Sequence, residues 1–271
     1  MKKLGILLVA LFVGVLAANA AFAGNLVING STTVLPISQS AAEAFMAENK
    51  DVKLSVSGGG SGNGIKALID GTCDIANSSR FMKDSEVKLA VEKGVYPVPF
   101  AVAIDAIVPI VNPSNKIANL TTDQLKDIYT GKITNWKQVG GEDKPIVVVG
   151  RDTSSGTFEV WEEKILKKEK VTPKAQVVAS SGAMLQTVAK NKYALGYDGI
   201  GYADDKSVKM VTVNGVKAEA KSARSGKYPV SRYLYVFTKG WPTGDVLDFV
   251  NFMQSDEGQK IVVKQGFVPL R

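Results

Sequence analysis

The chain has 271 residues, room for one large domain or two modest ones, and its 45% apolar and 22% charged content is that of an ordinary folded protein. A formal charge of +7 favours meeting an anion but is too mild to indicate nucleic acid. With no histidine and one cysteine, the sequence excludes Ser-His-Asp and Cys-His nucleophiles, His-ligated metal sites and any intramolecular disulfide.

Lys2 and Lys3, the apolar run 4–16 and Ala21-Phe22-Ala23 read as a signal peptide over 1–23, cleaved before Gly24. The run is short for a membrane span of ~20 residues and ends in small residues rather than charges. No cysteine stands at the junction to carry a lipid anchor. The expected mature protein, with a charge of about +5, is free in the periplasm.

From there, short β-branched runs alternate with amphipathic segments, the pattern of an α/β protein. The spacing predicts a strand over 26–29, a helix over 35–49, a strand over 53–57 and a helix over 64–69. A short strand from 74 ends at Ser78-Ser79-Arg80, and a helix covers 84–93. Cys73 reads as a small buried apolar residue. Residues 98–111 are apolar at nearly every position, as in a strand buried on both faces. Thr121 or Thr122 caps a helix over 123–129. A strand over 146–149 follows Pro145, then a helix over about 157–168, a strand over 176–179 and a helix over 183–191. Asn214-Gly215 joins strands 208–213 and 216–219 as a hairpin. A strand over 231–238 and helices over 244–253 and 256–265 close the chain. Two stretches suit hinges, 98–105 and 228–231.

Three expected strand-to-helix turns share one composition: Gly30-Ser31-Thr32-Thr33, the glycine-rich run from Gly58 to Gly64, and Gly150 to Thr157 with Arg151 at its start. A helix N-terminus presents free backbone N–H groups and a partial positive charge of about half a unit. Glycine lets the backbone approach a ligand, and hydroxyls donate hydrogen bonds without charge. One such turn is an ordinary cap; three in a chain, one joined to an arginine that can grip two oxygens, describe a cage for a small tetrahedral oxyanion. The second turn is neither a P-loop nor a dinucleotide fingerprint, because the Gly-Lys-Ser/Thr ending and the required spacing are missing.

These turns, with GSTTV at 30–34, GSG at 60–62 and RDTSSGT at 151–157, resemble the substrate-binding protein of the phosphate-specific ABC transporter. LKDIYTGKITNW at 125–136, LGY at 195–197, GQKI at 258–261 and GFVPL at 266–270 extend the resemblance over nearly all of 25–271. It implies a two-lobed periplasmic-binding-protein fold of type II, each lobe a mixed sheet flanked by helices. Residues 24–102 and 231–271 would form one lobe and 103–230 the other, with hinges near Val102 and Val230. It implies capture of inorganic phosphate for a membrane permease, by a monomer without catalytic residues, cofactor or metal. Carried onto matching positions, the phosphate contacts are Thr32, Thr33, Ser61, Arg151, Ser154, Ser155, Gly156 and Thr157. Ser79 stands where some members carry an aspartate that accepts the phosphate proton, and Arg80 beside it is a candidate to add charge. Asp152 is the candidate replacement acceptor; its other reading is to orient Arg151 or cap the helix. The rival functions are a receptor for sulfate, molybdate or tungstate, a phosphoryl-transfer enzyme with Ser155 as nucleophile, and a sensor or adhesive protein.

Overall fold

The computed structural model describes residues 25–203 and 206–271, so the expected signal peptide lies outside the described residues. The chain begins β1 (Asn25–Gly30), α1 (Leu35–Glu48), β2 (Lys53–Gly58), α2 (Ser61–Ile69), β3 (Ile75–Ser78), α3 (Asp84–Glu92) and β4 (Val98–Val111). It continues β5 (Asn119–Leu120), α4 (Thr122–Thr130), β6 (Val147–Arg151), α5 (Gly156–Trp161), β7 (Gln176–Val178), α6 (Ser181–Lys190) and β8 (Ala194–Gly199). It ends with β9 (Lys209–Met210), β10 (Thr212–Val213), α7 (Ala220–Arg224), β11 (Ser231–Thr238), α8 (Gly244–Gln254) and α9 (Asp256–Lys264).

One curled sheet runs β2-β1-β3-β11-β4-β8-β6-β7. The strand β4 belongs to both of its halves. Residues 98–106 pair antiparallel with β11, and Ile107 to Val111 pair with β8. Between Leu234 and Tyr235 the register of β11 slips, leaving Val102 as an extra residue, a β-bulge in the ribbon that joins the halves. As the apolar run predicts, β4 is buried from Val102 to Val111, although its first four residues are only partly covered.

Alternation along the strands assigns side chains to layers. Ile75 and Val236 face a core formed with Phe45 of α1, Phe249 of α8 and Val262 of α9. Their neighbours Ala76 and Phe237 face the opposite core, with Ile65 and Leu68 of α2 and Ala90 of α3. In the other half, β4, β6 and β8 pack with α4 to α7 around Tyr129, Trp161 and Tyr197. The Trp161 and Tyr197 rings stack at 4.3 Å and 3°, while Tyr129 meets both edge-on and donates to the Val149 carbonyl at 3.0 Å.

Several elements depart from the expectations. The helix α2 starts at Ser61 rather than 64, because Ser61 follows Gly60 in a left-handed conformation that ends the turn. The helix expected over 157–168 is α5 followed by one π turn over Glu162–Leu166, closed by Lys167 and Lys168 at positive φ. At 208–219 the predicted turn is present, with Asn214 and Gly215 at φ +53° and +75°, but the hairpin is not. Beyond the single Val213–Val216 bridge there is no ladder, because β10 pairs in parallel with β5 and Glu219 opens α7. Strand β8 was not anticipated.

Candidate functional site

The site is built at the carboxyl ends of parallel strands, where an open α/β sheet leaves a crevice. In one half, the ends of β1, β2 and β3 are knitted together. Ser31 N–H donates to Asn77 O at 2.8 Å, and Gly59 and Gly60 N–H donate to Gly30 O at 2.7 and 2.9 Å. Only glycine fits at position 30, where φ is +138° and a Cβ would lie 2.1 Å from Asn77 O. Ser31 Oγ accepts from the N–H groups of Thr33 and Val34, fixing the entry to α1. In the other half, β6 ends at Arg151 and β7 leads to Ser180 and Ser181 at the start of α6.

All three predicted turns converge. Thr33 and Thr157 hydroxyls meet at 2.9 Å, and Ser61 and Ser79 hydroxyls at 3.2 Å. The Gly156 backbone presses against the second pair so closely that a Cβ there would lie 2.5 Å from Ser61 Oγ and 2.8 Å from Ser79 Oγ. Ser155 Oγ caps α5 by accepting from Phe158 N–H at 3.2 Å, and Gly62 N–H donates across the halves to Ser154 O at 2.9 Å. Thr32, Thr33, Ser61, Ser79, Arg151, Ser155 and Thr157 are all buried.

A fourth turn, missed in the sequence, joins them. Ser181 N–H and the Arg151 guanidinium (Nη2, 3.0 Å) both donate to Thr32 Oγ1, and Ser181 Oγ lies 3.3 Å from the same oxygen. Ala179-Ser180-Ser181-Gly182 has the composition of the other three turns, so the signal was present.

Two buried carboxylates were also missed. Asp198 on β8 accepts from Ser181 Oγ at 2.9 Å and Gly199 N–H at 2.8 Å, and its other oxygen lies 3.4 Å from Arg151 Nη1. Burial pushes the Asp198 carboxyl above its ordinary value, against the pull of Arg151 and those donors. Asp105 on β4 takes the Arg232 fork at 2.9 and 2.7 Å and Ile200 N–H at 3.0 Å. Arg232 then reaches both sides of the site, donating to Ser79 O at 2.9 Å and Thr157 Oγ1 at 3.0 Å. Behind Thr32, the Tyr202 hydroxyl donates to its carbonyl at 2.6 Å. Arg151 is only 4% exposed, and its Nε has no hydrogen-bond partner.

Two of the candidate residues are engaged by other partners. The Arg80 guanidinium is committed elsewhere: its Nη atoms grip Glu86 at 2.7 Å each, and its Nε lies 2.8 Å from Glu159. Lys83 joins Glu159 at 2.8 Å, so the triad ties the β3–α3 connection to α5. Burial pulls the Arg80 pKa down, but Glu86 and Glu159 outweigh it and the net direction is up. A groove of about 720 Å³ opens beside this triad, walled by Arg80, Glu159, Arg232 and Tyr233 but by none of the four turns. Asp152 is the second such residue. Its Oδ1 accepts from both Ser154 N–H (2.9 Å) and Ser154 Oγ, a local turn that caps the approach to α5 and leaves Asp152 half-buried.

The PBP superfamily domain matches residues 17–257. Phosphate-binding protein PstS of Bacillus subtilis is 36% identical over 252 residues, covering 91% of this chain and 81% of the relative. A crystal structure of a protein described as a phosphate ABC transporter substrate-binding protein from Clostridium perfringens, with bound phosphate, superposes with a TM-score of 0.86 at 37% identity. That match covers 92% of this chain and all of the other. An ABC-type phosphate transport receptor from Vibrio cholerae gives a TM-score of 0.74 at 33% identity, covering 90% and 99%. With its two-lobed α/β architecture and convergent hydroxyl-rich turns, this chain belongs to the PBP superfamily and, within it, to the phosphate-binding protein PstS family.

Proposed function

We propose that the protein captures inorganic phosphate outside the cytoplasm and delivers it to the permease of an ABC importer. The observation that carries this reading is the meeting of four helix-starting turns and one buried arginine at a single place between the two halves of the sheet. Desolvating a dianion costs several kcal/mol even after relaxation, and micromolar binding requires a surplus of about 8 kcal/mol. Charge-assisted hydrogen bonds of about 1.5–3 kcal/mol each meet that demand only when many converge. Thr32, Thr33, Ser61, Ser79, Arg151, Ser155, Gly156 and Thr157 supply them, with Ser154 beside them. The free Arg151 Nε adds a donor of the kind an anion fills.

We assign residues 24–102 and 231–271 to one lobe and 103–230 to the other, hinged near Val102 and Val230. The division of the cores supports this: Val102 and Ala103 pack in one cluster and Ile104 and Val230 in another. The bulge at Val102 supports it too. The protein acts as a monomeric receptor rather than an enzyme. Ser155 keeps its oxygen in the α5 cap, and Asp152, its only nearby base, addresses Ser154. Among the described residues no helix is long and apolar enough to cross a membrane.

Thermal unfolding with phosphate, sulfate and molybdate tests the reading. Phosphate at 100 times its dissociation constant stabilises by about 2.7 kcal/mol, a rise of roughly 5–10 °C in Tm. No rise with phosphate, or a larger one with another oxyanion, would refute phosphate capture.

A further inference from the structure

Phosphate near neutral pH still carries a proton, whereas sulfate carries none, so a receptor that tells them apart needs a hydrogen-bond acceptor aimed at the ligand. The sequence leaves that acceptor unassigned, since serine stands at position 79, and the structure removes the other candidates one by one. Asp152 turns Oδ1 to Ser154 and is only half-buried, so water competes for its other oxygen, and one Glu159 oxygen takes both Arg80 and Lys83. Glu86 takes the Arg80 fork and Lys83 N–H. Asp105 has both oxygens filled, by Arg232 and Ile200 N–H, and lies against the Gly199 backbone.

Asp198 remains. It is buried on β8, and Arg151, the nearest cation, touches only one of its oxygens, at a long 3.4 Å. Its other oxygen takes the Ser181 hydroxyl proton. That bond fixes the polarity of Ser181. Its single proton is spent on Asp198, so Ser181 Oγ acts only as an acceptor on its other side, taking Arg151 Nη1 at 3.2 Å and turning its remaining lone pair toward Thr32, 3.3 Å away. A hydroxyl held in this way repels a bare anion oxygen and receives an anion's O–H.

We propose that Asp198 and Ser181 together form the acceptor by which this protein selects a protonated oxyanion over a fully ionised one. The assignment rests on the phosphate-capture reading. Ser181 touches the ligand; Asp198, one bond behind, is a positioning residue that keeps the serine proton out of the site. Burial favours this arrangement by keeping water from competing for either oxygen.

The experiment is calorimetric titration of phosphate and of sulfate into the wild type, Ser181→Ala and Asp198→Asn, with Tm recorded for each. In both variants phosphate binding is expected to weaken by about tenfold or more, while sulfate binding holds or tightens, so the preference for phosphate shrinks by at least that factor. A parallel loss for the two anions marks a merely structural role and overturns the proposal; so does an unchanged preference. If Asp198→Asn fails to fold, Ser181→Ala decides alone. A wild type that binds phosphate selectively while the variants keep its preference defeats only this inference. A wild type without phosphate binding defeats the functional reading beneath it.

Discussion

Glu159→Gln tests whether contacts outside the ligand turns set how tightly the halves hold together. The Glu159 carboxylate on α5 meets Arg80 Nε and Lys83 Nζ, each at 2.8 Å, and both cations belong to the other half of the sheet. The two contacts differ in weight. Lys83 is 54% exposed, and solvent screening leaves such a pair worth about 0–0.5 kcal/mol. The Arg80 side chain is 6% exposed, and its Nε, which makes no hydrogen bond, forms with Glu159 a shielded ion contact that contributes about 1–2 kcal/mol. Arg80 keeps its two bonds to Glu86 in the variant, so no bare buried charge adds to the loss. Contact between the halves is thus weakened by about 1–2 kcal/mol in total, and because the proposed phosphate site spans both halves, its dissociation constant is expected to rise about 5- to 30-fold. Calorimetric titration in low salt measures this, and stopped-flow release assigns the change to faster dissociation. Added salt narrows the gap between wild type and variant as the pair is screened. A dissociation constant within twofold of wild type in low salt refutes a coupling between this contact and binding.

Arg151→Ala removes the one guanidinium inside the ligand turns and is expected to weaken phosphate binding by at least about a hundredfold, as several charge-assisted bonds are lost. A loss below about fivefold by titration would place Arg151 outside the site. Gly156→Ala puts a methyl 2.5 Å from Ser61 Oγ, so the turns cannot close. The phosphate-induced rise in Tm should disappear while the Tm without phosphate changes little. Burial raises the Glu86 carboxyl, but Arg80 and Lys83 N–H outweigh it and hold its pKa below 4.5 in the folded chain. The native carboxylate therefore binds protons less readily than the unfolded one, and its stability contribution, whole at neutral pH, is lost as pH falls from about 4.5 downward. Glu86→Gln should flatten acid unfolding monitored by circular dichroism in that window.

The three turns were legible because their chemistry is local. Glycine at the strand end, hydroxyls at the cap and an apolar strand before them lie within a few consecutive residues, and the same residues meet in space. Ser181 carries a similar signal, but its part shows only when Thr32, 149 residues away, is seen beside it. The carboxylates were hidden differently. Asp105 and Asp198 sit within apolar strands, and their meaning depends on Arg232 and Arg151, partners 127 and 47 residues distant. Arg80 misled because it directly follows Ser78-Ser79 at the end of β3. Its Nη atoms are taken by Glu86 six residues on, and its Nε faces Glu159, which no local pattern connects to it. Asn214-Gly215 gave the turn correctly, but its arms were decided by an outside competitor, since Thr212 and Val213 find a better partner in Asn119 and Leu120. Strand β8 escaped because Gly196 and Gly199 interrupt its apolar character. Both are required by crowding, for a Cβ would strike Met184 Sδ at 2.5 Å or the Asp105 carboxylate at 2.9 Å.

A ribbon of two long antiparallel strands is stiff along its length and across its ladder, and yields mainly to twist and bend. Because β4 and β11 run together through the junction, the hinge proposed near Val102 and Val230 would lie within one continuous ladder. Movement about it would follow the twist and bend of that ribbon and keep the two sets of turns facing each other.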